Sequence, residues 1–249
     1  MDLLLDATHR VEARHFWFRA LRRFLTPLLE RAAGDRPDAR LLDCGCGTGV
    51  NLPLLARYGS AWAVDLNRYG LGLARQAGFT RCARATVASL PFPDACFDVV
   101  TSIDVLYSVS DDDERRAVNE MFRVLKPGGF AILNLAAMRI LRGNHSVLAE
   151  EVRRYERPDV RALLWRAGFT IERLTYTNAI LFPLVLGQRL LERTLGLASP
   201  DEAAVQLRVP AAPVNGVLSG LLAVESLLLR VMPAPFGSSL LCLARKPPR

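Results

Sequence analysis

Hydrophobic positions along this chain follow two rhythms. Near-continuous apolar runs cover Arg40–Cys44, Ser60–Asp65, Phe97–Ile103 and residues 130–135. Runs of that kind read as strands buried on both faces of a parallel sheet. Between them, apolar residues recur every three or four positions. Residues 50–58 and 67–76 read as helices, and Ser110 opens another as its N-cap. Asp111, Asp112, Asp113 and Glu114 fill the positive first turn of that helix, and Val118, Met121, Phe122 and Leu125 make its buried face. Lys126-Pro127-Gly128-Gly129 closes it before the strand at 130–135. A short third strand is expected from 78–83, a helix over 158–167 ended by Gly168, a sixth strand over 169–176 and a last one over 240–244. Strand–helix alternation of this kind predicts an α/β fold, a mainly parallel sheet with helices on both faces.

The flanking stretches follow the helical rhythm alone. Residues 1 to 33 read as helical, with Trp17, Leu21, Phe24, Leu25 and Leu28 on one face and a restart expected at Thr26-Pro27. The cluster His15-Phe16-Trp17-Phe18 reads either as a helix docking on the core or as a lid over a ligand. Residues 179–195 and 214–231 form two apolar helical stretches, split by a Pro-rich linker over 199–213. Their Phe182, Val185, Leu186, Leu190, Leu218, Leu221, Leu222 and Leu228 exceed what an isolated helix pair would hide. Packing on the core, a homodimer face and peripheral membrane contact stay open as readings. No stretch reads as an uninterrupted membrane span, and the N-terminus shows no signal-peptide core.

Composition narrows the class. With 249 residues, 51% hydrophobic and 23% charged, the chain has material for one full core. Basic residues number 32 against 25 acidic ones, a net +7, and nearly all are Arg; only Lys126 and Lys246 are Lys. No basic block interleaved with aromatics occurs, so a nucleic-acid face is not expected. Few lysines speak against Schiff-base chemistry. The five cysteines, at 44, 46, 82, 96 and 242, contain no Cys-x-x-Cys pair. They predict neither a disulfide framework nor a zinc site but buried thiols in a reducing cytoplasm, and no metal-ligand spacing is visible elsewhere.

The stretch with most chemical content is Leu41 to Gly49, LLDCGCGTG. Gly45, Gly47 and Gly49 alternate, and glycine lets a backbone turn at positive φ and approach a ligand closely. A strand entering such a turn and then a helix puts main-chain N–H groups at the head of a crevice, the place for a nucleotide-type ligand in an open α/β sheet. The spacing is Gly-x-Gly-x-Gly, not the Gly-x-Gly-x-x-Gly of dinucleotide enzymes; a turn without a ligand is the plain alternative. About twenty residues past the turn's opening, SAWAVD ends in Asp65, whose carboxylate can accept hydrogen bonds from two ribose hydroxyls.

LLDCGCGTG, the acidic end of SAWAVD, LPFPDACFDVV and LKPGGFAILN, in this order, resemble the class I S-adenosylmethionine-dependent methyltransferases over residues 38–177. HFWFRALRR near the N-terminus, and His145 followed by VRRYERPDVRALLWRAGF, resemble a bacterial small-molecule branch of the methyltransferase type 11/12 kind. The chain departs from the pattern in places. His145-Ser146 and Glu151 stand where that branch has a His-Asp pair and a second His before Arg-Arg-Tyr. Thr86-Val87 replaces a frequent Asp-Ala, and Asp104-Val105-Leu106-Tyr107-Ser108 replaces Asp-Val-Leu-Glu-His.

The resemblance implies a Rossmann-like seven-stranded sheet of order 3-2-1-4-5-7-6 with strand seven antiparallel. It implies one domain over 1–249: an N-terminal helical lid (1–37), a core (38–177 plus 238–246) and a helical insertion between strands six and seven (178–237). S-adenosyl-L-methionine is the implied cofactor, with S-adenosyl-L-homocysteine as product and no metal. Asp43, Cys44, Gly45, Cys46, Gly47 and Gly49 would hold its amino-acid moiety through Asp43 and the turn's N–H groups. Asp65 would take the ribose and Leu66 pack on the adenine, with Thr86, Val87 and Ala88 on the adenine side and Ser102 and Ile103 on the methionine side. His145 ranks first as proton acceptor and His15 second, while Tyr155 and Tyr107 would orient an acceptor or touch the sulfonium face. The expected reaction is methyl transfer to a small apolar or lipid-linked acceptor in secondary metabolism or envelope biosynthesis, in the cytoplasm, with the apolar insertion as a greasy pocket. The alternatives are a non-catalytic scaffold or partner subunit and, less favoured by the glycine spacing, a nicotinamide oxidoreductase.

Overall fold

The computed structural model describes residues 2–36, 38–142, 151–195 and 209–248. Seven strands form one sheet: β1 (Arg40–Cys44), β2 (Ser60–Asp65), β3 (Cys82–Arg84), β4 (Phe97–Ile103), β5 (Leu125–Ala136), β6 (Thr170–Thr177) and β7 (Ser239–Arg245). Their spatial order is β3-β2-β1-β4-β5-β7-β6, as expected. Strands β1 to β5 run parallel, and β7 runs antiparallel to both β5 and β6. Every residue of β4 is buried, which is why its sequence FDVVTSI is a near-continuous apolar run.

Helices cover both faces. On one face lie α2 (Phe16–Ala33), the single turn α3 (Leu52–Leu55), α4 (Arg68–Gln76) and α8 (Ala212–Val231). On the other lie α5 (Asp111–Val124) and α6 (Arg157–Arg166). Helix α1 (Asp2–Glu12) and α7 (Phe182–Leu195) complete the set. The Ser110 hydroxyl accepts from the Asp113 N–H at 3.1 Å, so the cap and the acidic first turn of α5 are those read from the sequence.

Three elements differ from their expected form. The N-terminal helix is broken between α1 and α2, and His15 caps α2 by accepting from the Trp17 N–H at 3.2 Å. Thr26-Pro27 does not restart it: the Thr26 hydroxyl bonds the Arg22 carbonyl at 2.8 Å and the helix runs on through Pro27. Residues 126–129 do not lie outside β5 but form an irregularity within it, where pairing jumps from Phe97–Leu125 to Val99–Phe130. A Cβ on Gly129 would stand 2.9 Å from the Asp98 carbonyl oxygen, so this bulge needs glycine. The helix over 50–58 shrinks to α3, because turns closed by Leu52 N–H to Gly49 O and Tyr58 N–H to Leu55 O take up its ends.

Helix α8 lies along α2. Its buried stripe is Ser219, Leu222, Glu225 and Leu229. Arg23 donates to the Ser219 carbonyl at 3.0 Å, and the Asn215 amide bridges the α1–α2 junction, accepting from Phe16 N–H at 2.9 Å and donating to Arg14 O at 3.0 Å. The expectation of no membrane-length stretch needs correction: α8 has 20 residues and a mean hydropathy of 1.6, enough by length and composition alone to cross a membrane. Of the 18 exposed large apolar residues among those described, 13 fall between Ile180 and Phe236, so the insertion is where apolar surface stays uncovered. Most of the expected linker lies outside the described residues.

Glu225 anchors the two insertion helices together. It is buried, and its carboxylate accepts the N–H groups of Ala179 at 2.9 Å and Ile180 at 3.1 Å, just before α7. Glu225→Ala leaves both donors unpartnered and is expected to lower unfolding free energy by roughly 1–3 kcal/mol in denaturant titration. An unchanged midpoint would show that water replaces the carboxylate at no loss.

Candidate active site

The carboxyl ends of β1, β2, β4 and β5 bring the polar residues of the fold together. β1 runs into the glycine turn, where Gly45, Gly47 and Gly49 have φ of 81°, 52° and 82°. A Cβ on Gly45 would meet the Val105 side chain at 2.4 Å, and one on Gly49 would meet Ala74 of α4 at 2.7 Å. The turn is thus wedged between the loop after β4 and helix α4, in a left-handed conformation that suits glycine.

Expectation and structure differ on the turn's N–H groups. Gly45 and Cys46 donate to the Val64 carbonyl at 2.8 and 3.1 Å, and Gly49 donates to Cys46 O at 2.8 Å. Gly47 donates to Asp65 Oδ2 at 2.7 Å. These four donors are used within the protein. What the edge offers a ligand is carboxylate oxygen. Asp43 is 1% exposed; its Oδ1 accepts from the Thr101 hydroxyl at 2.7 Å and its Oδ2 is buried without a partner. Burial pushes its carboxyl up to about 6, with the Thr101 bond opposing and Asp65 reinforcing the shift. Asp65 also accepts the Asn67 N–H at 2.7 Å, so one carboxylate spans the glycine turn and the start of α4.

Pleating sorts the other expected ligand residues. Thr101 shares a face with Asp43, so Ser102 points to the other side, where its hydroxyl is buried without a partner. Ile103 returns to the Asp43 side. Cys44 packs on the α5–α6 side and Cys46 on the α2 side; burial raises both thiols, which act as apolar filling. Leu66 is 60% exposed beside Asp65. The Thr86 hydroxyl accepts from the Ala88 N–H at 3.2 Å, and Val87 is buried against the second face.

Helix α1 lies over the turn, and sequence reasoning missed what fastens it. The Thr48 hydroxyl is 2.7 and 2.9 Å from the two carboxylate oxygens of Glu12, itself 3% exposed. Tyr69 donates to Asp6 at 3.1 Å, and the Leu5 side chain stands 3.6 Å from where a Gly47 Cβ would be. No local pattern announces a contact between residues thirty-six apart.

The proposed proton acceptors are dispersed. His145 lies outside the described residues. His15 caps α2 and stacks on Phe16 at 4.5 Å; burial lowers its pKa, which favours the neutral ring. Tyr155 is buried, its hydroxyl paired with Glu114 and standing 3.0 Å from Leu106 O, so it braces the turn Leu106–Ser108. Burial, then Asp104 and Glu151, push the Tyr107 phenol up, and it stays protonated near neutral pH. A groove at the opposite edge of the sheet, lined by Arg31, Arg36 and Arg245, has its arginines paired with Glu172 and Asp98. Among the described residues no cluster of three or more His, Cys, Asp or Glu could hold a metal ion.

Comparison with known proteins places this geometry. Residues 42–133 match the family model described as a methyltransferase domain. The "Ubiquinone/menaquinone biosynthesis C-methyltransferase UbiE" of Vibrio parahaemolyticus is 38% identical over 108 residues, 39% of this chain and 41% of the relative. The chain thus spans about two fifths of the length of such curated relatives. Among solved structures, the [4+2]-cyclase SpnF superposes with a TM-score of 0.58 at 23% identity, covering 91% of this chain and 81% of SpnF. A Haloferax volcanii methyltransferase, solved in complex with its Trm112 activator, gives 0.63 at 17% identity, covering 100% and 96%.

The raised Asp43 carboxyl has a measurable sign. Its folded value of about 6 lies above the ordinary 3.8, so the folded chain binds that proton more tightly and stability falls as pH rises from about 3.8 through about 6. Asp43→Asn is therefore expected to gain on wild type by on the order of 3 kcal/mol in unfolding free energy between pH 4 and pH 7.5. A difference constant over that range would contradict a buried, ionised Asp43.

Proposed function

Starting from a class I methyltransferase core, we propose that this protein moves a methyl group from S-adenosylmethionine to a small, lipid-linked acceptor. The observation that carries the reading is the pair of carboxylates flanking the glycine turn. Asp43 keeps one buried oxygen unpartnered at the strand end, where an ammonium group would complete it. Asp65, bound to two main-chain N–H groups, keeps lone pairs on both oxygens for a ribose diol. Gly45 leaves no Cβ between them and the Val105 loop. These residues fit the sulfur nucleotide, which supplies an electrophilic methyl group on a sulfonium centre.

The protein's own part is positioning and exclusion of water. Asp43 would hold the amino-acid moiety of the nucleotide and Asp65 its ribose, and α1 closes over the turn through Glu12 and Leu5. Holding donor and acceptor in line supplies most of the acceleration such a displacement needs. The lipid-linked acceptor rests on a separate observation, the concentration of exposed Leu and Val on α7 and α8, with Leu184 66% and Val217 64% exposed. The relatives' role in quinone biosynthesis points the same way.

Calorimetric titration with S-adenosylmethionine, S-adenosylhomocysteine and NADH tests the reading. Both sulfur nucleotides are expected to bind, with Asp65→Ala weakening them by roughly tenfold or more, as loss of a charge-assisted pair does. NADH is expected not to bind. Folded protein that binds none of the three would favour a scaffold or partner subunit, and NADH binding alone an oxidoreductase.

A further inference from the structure

Helix α8 is apolar on two faces, and the face turned to solvent is the more apolar one. The stripe packed on α2 carries two polar residues, Ser219 and Glu225, beside Leu222 and Leu229. The Ser219 hydroxyl is buried there without a partner. The outer stripe is Val214, Val217, Leu221, Val224, Leu228 and Val231, with no polar member, and these side chains are between 39% and 89% exposed. Their spacing alternates between three and four residues from end to end. That is a seven-residue repeat with two apolar positions, the narrow seam along which helices pair rather than the broader face a helix lays on a core.

Symmetry, charge and area point to what covers the seam. Its spacing reads the same from either end. When two such helices run antiparallel about a two-fold axis between Leu221 and Val224, Leu221 of each copy meets Val224 of the other, Val217 meets Leu228, and Val214 meets Val231. Beside the seam, a Cβ on Gly216 or Gly220 would meet nothing within 4 Å, so no side chain at these positions holds a second helix away. A helix lying in a bilayer surface carries Lys or Arg along its polar face, whereas Arg230 is the one charged residue among the exposed positions of α8. The six seam residues and the neighbouring Leu227 expose on the order of 100 Å² each, about 700 Å² in all, close to the ~800 Å² per partner that a stable interface buries.

We propose that α8 is a dimerisation helix, and that two copies of this chain pair through the seam from Val214 to Val231, antiparallel, with the two-fold axis between Leu221 and Val224. The dimer does not depend on the methyltransferase reading, because no seam residue belongs to the candidate active site. Its effect still reaches that site through bonds within each chain. Asn215, beside the first seam residue, accepts from Phe16 N–H at 2.9 Å and donates to Arg14 O at 3.0 Å. Arg23 of α2 donates to the Ser219 carbonyl at 3.0 Å. A partner helix on the outer face of α8 therefore backs α2 and the junction that leads into α1, the helix lying over the glycine turn.

Sedimentation velocity of the full chain from about 0.5 to about 50 μM tests the pairing. Wild type is expected to sediment at twice the chain mass at the upper end of that range. Leu221→Glu and Val224→Lys each put an unpaired charge into the seam and are expected to weaken the dimer at least about a hundredfold. Both positions are exposed in the single chain, so thermal unfolding of the dilute variants is expected within about 2 °C of dilute wild type, which reports their folding. The double variant carrying both substitutions sets each Glu against the other copy's Lys in an antiparallel seam and is expected to recover at least about tenfold of the loss; a parallel pair would set Glu on Glu. Wild type that keeps one chain mass at about 50 μM would overturn the proposal, and its co-sedimentation with vesicles of phosphatidylcholine and phosphatidylglycerol would then assign the seam to a bilayer. A dimer indifferent to both single substitutions, or a double variant as weak as the single ones, would overturn it as well.

Discussion

Asp65 accepts two main-chain N–H groups, from Gly47 and Asn67, each at 2.7 Å. This carboxylate ties the turn after β1 to the start of α4 and fixes where the glycine turn stands over the sheet. The turn can take that position because glycine at 45 and 49 leaves space for Val105 and Ala74. Helix α1 can then latch onto Thr48 through the buried Glu12. Hydrogen bonds to a charged acceptor are stronger than neutral ones, so the contact both stabilises the edge and holds a negative charge where a ligand's hydroxyls would arrive.

The same architecture serves different chemistries. A [4+2]-cyclase shares this fold at a TM-score of 0.58, so fold alone does not name a reaction. The reaction has to be argued from the site. At the sheet edge the Asp43 and Asp65 carboxylates flank the glycine turn, and Asp104 is bonded to Asn134. A stripe of α8 packs on α2, and much of the remaining apolar surface of the insertion helices is exposed.

Much of the fold is legible in the sequence. Buried strands such as β4 are continuous apolar runs, and Ser110 with its acidic turn marks the start of α5 by local chemistry alone. The glycine turn and Asp65 are visible because their spacing is local. What the sequence hides depends on contacts made across the fold. Pro27 continues a helix because tertiary burial of Phe24, Leu25 and Leu28 outweighs one lost hydrogen bond. The Glu12–Thr48 latch and the Asp104–Asn134 clamp join residues thirty-six and thirty apart. Asp104 stood in a quoted motif, yet its left-handed backbone, which sets its side chain, leaves no mark in the letters DVLYS. Tyr155 read as an acceptor contact from its family position, while its burial and its contact with Leu106 are properties of the packed core.

Hydrogen–deuterium exchange with and without S-adenosylhomocysteine tests the central claim most directly, that the glycine turn, its two carboxylates and α1 form one nucleotide-binding unit. The account predicts added protection in residues 43–49 and 65–68 together with α1, and little change at β6 and β7. Protection confined to the insertion helices, or none despite binding, would contradict it.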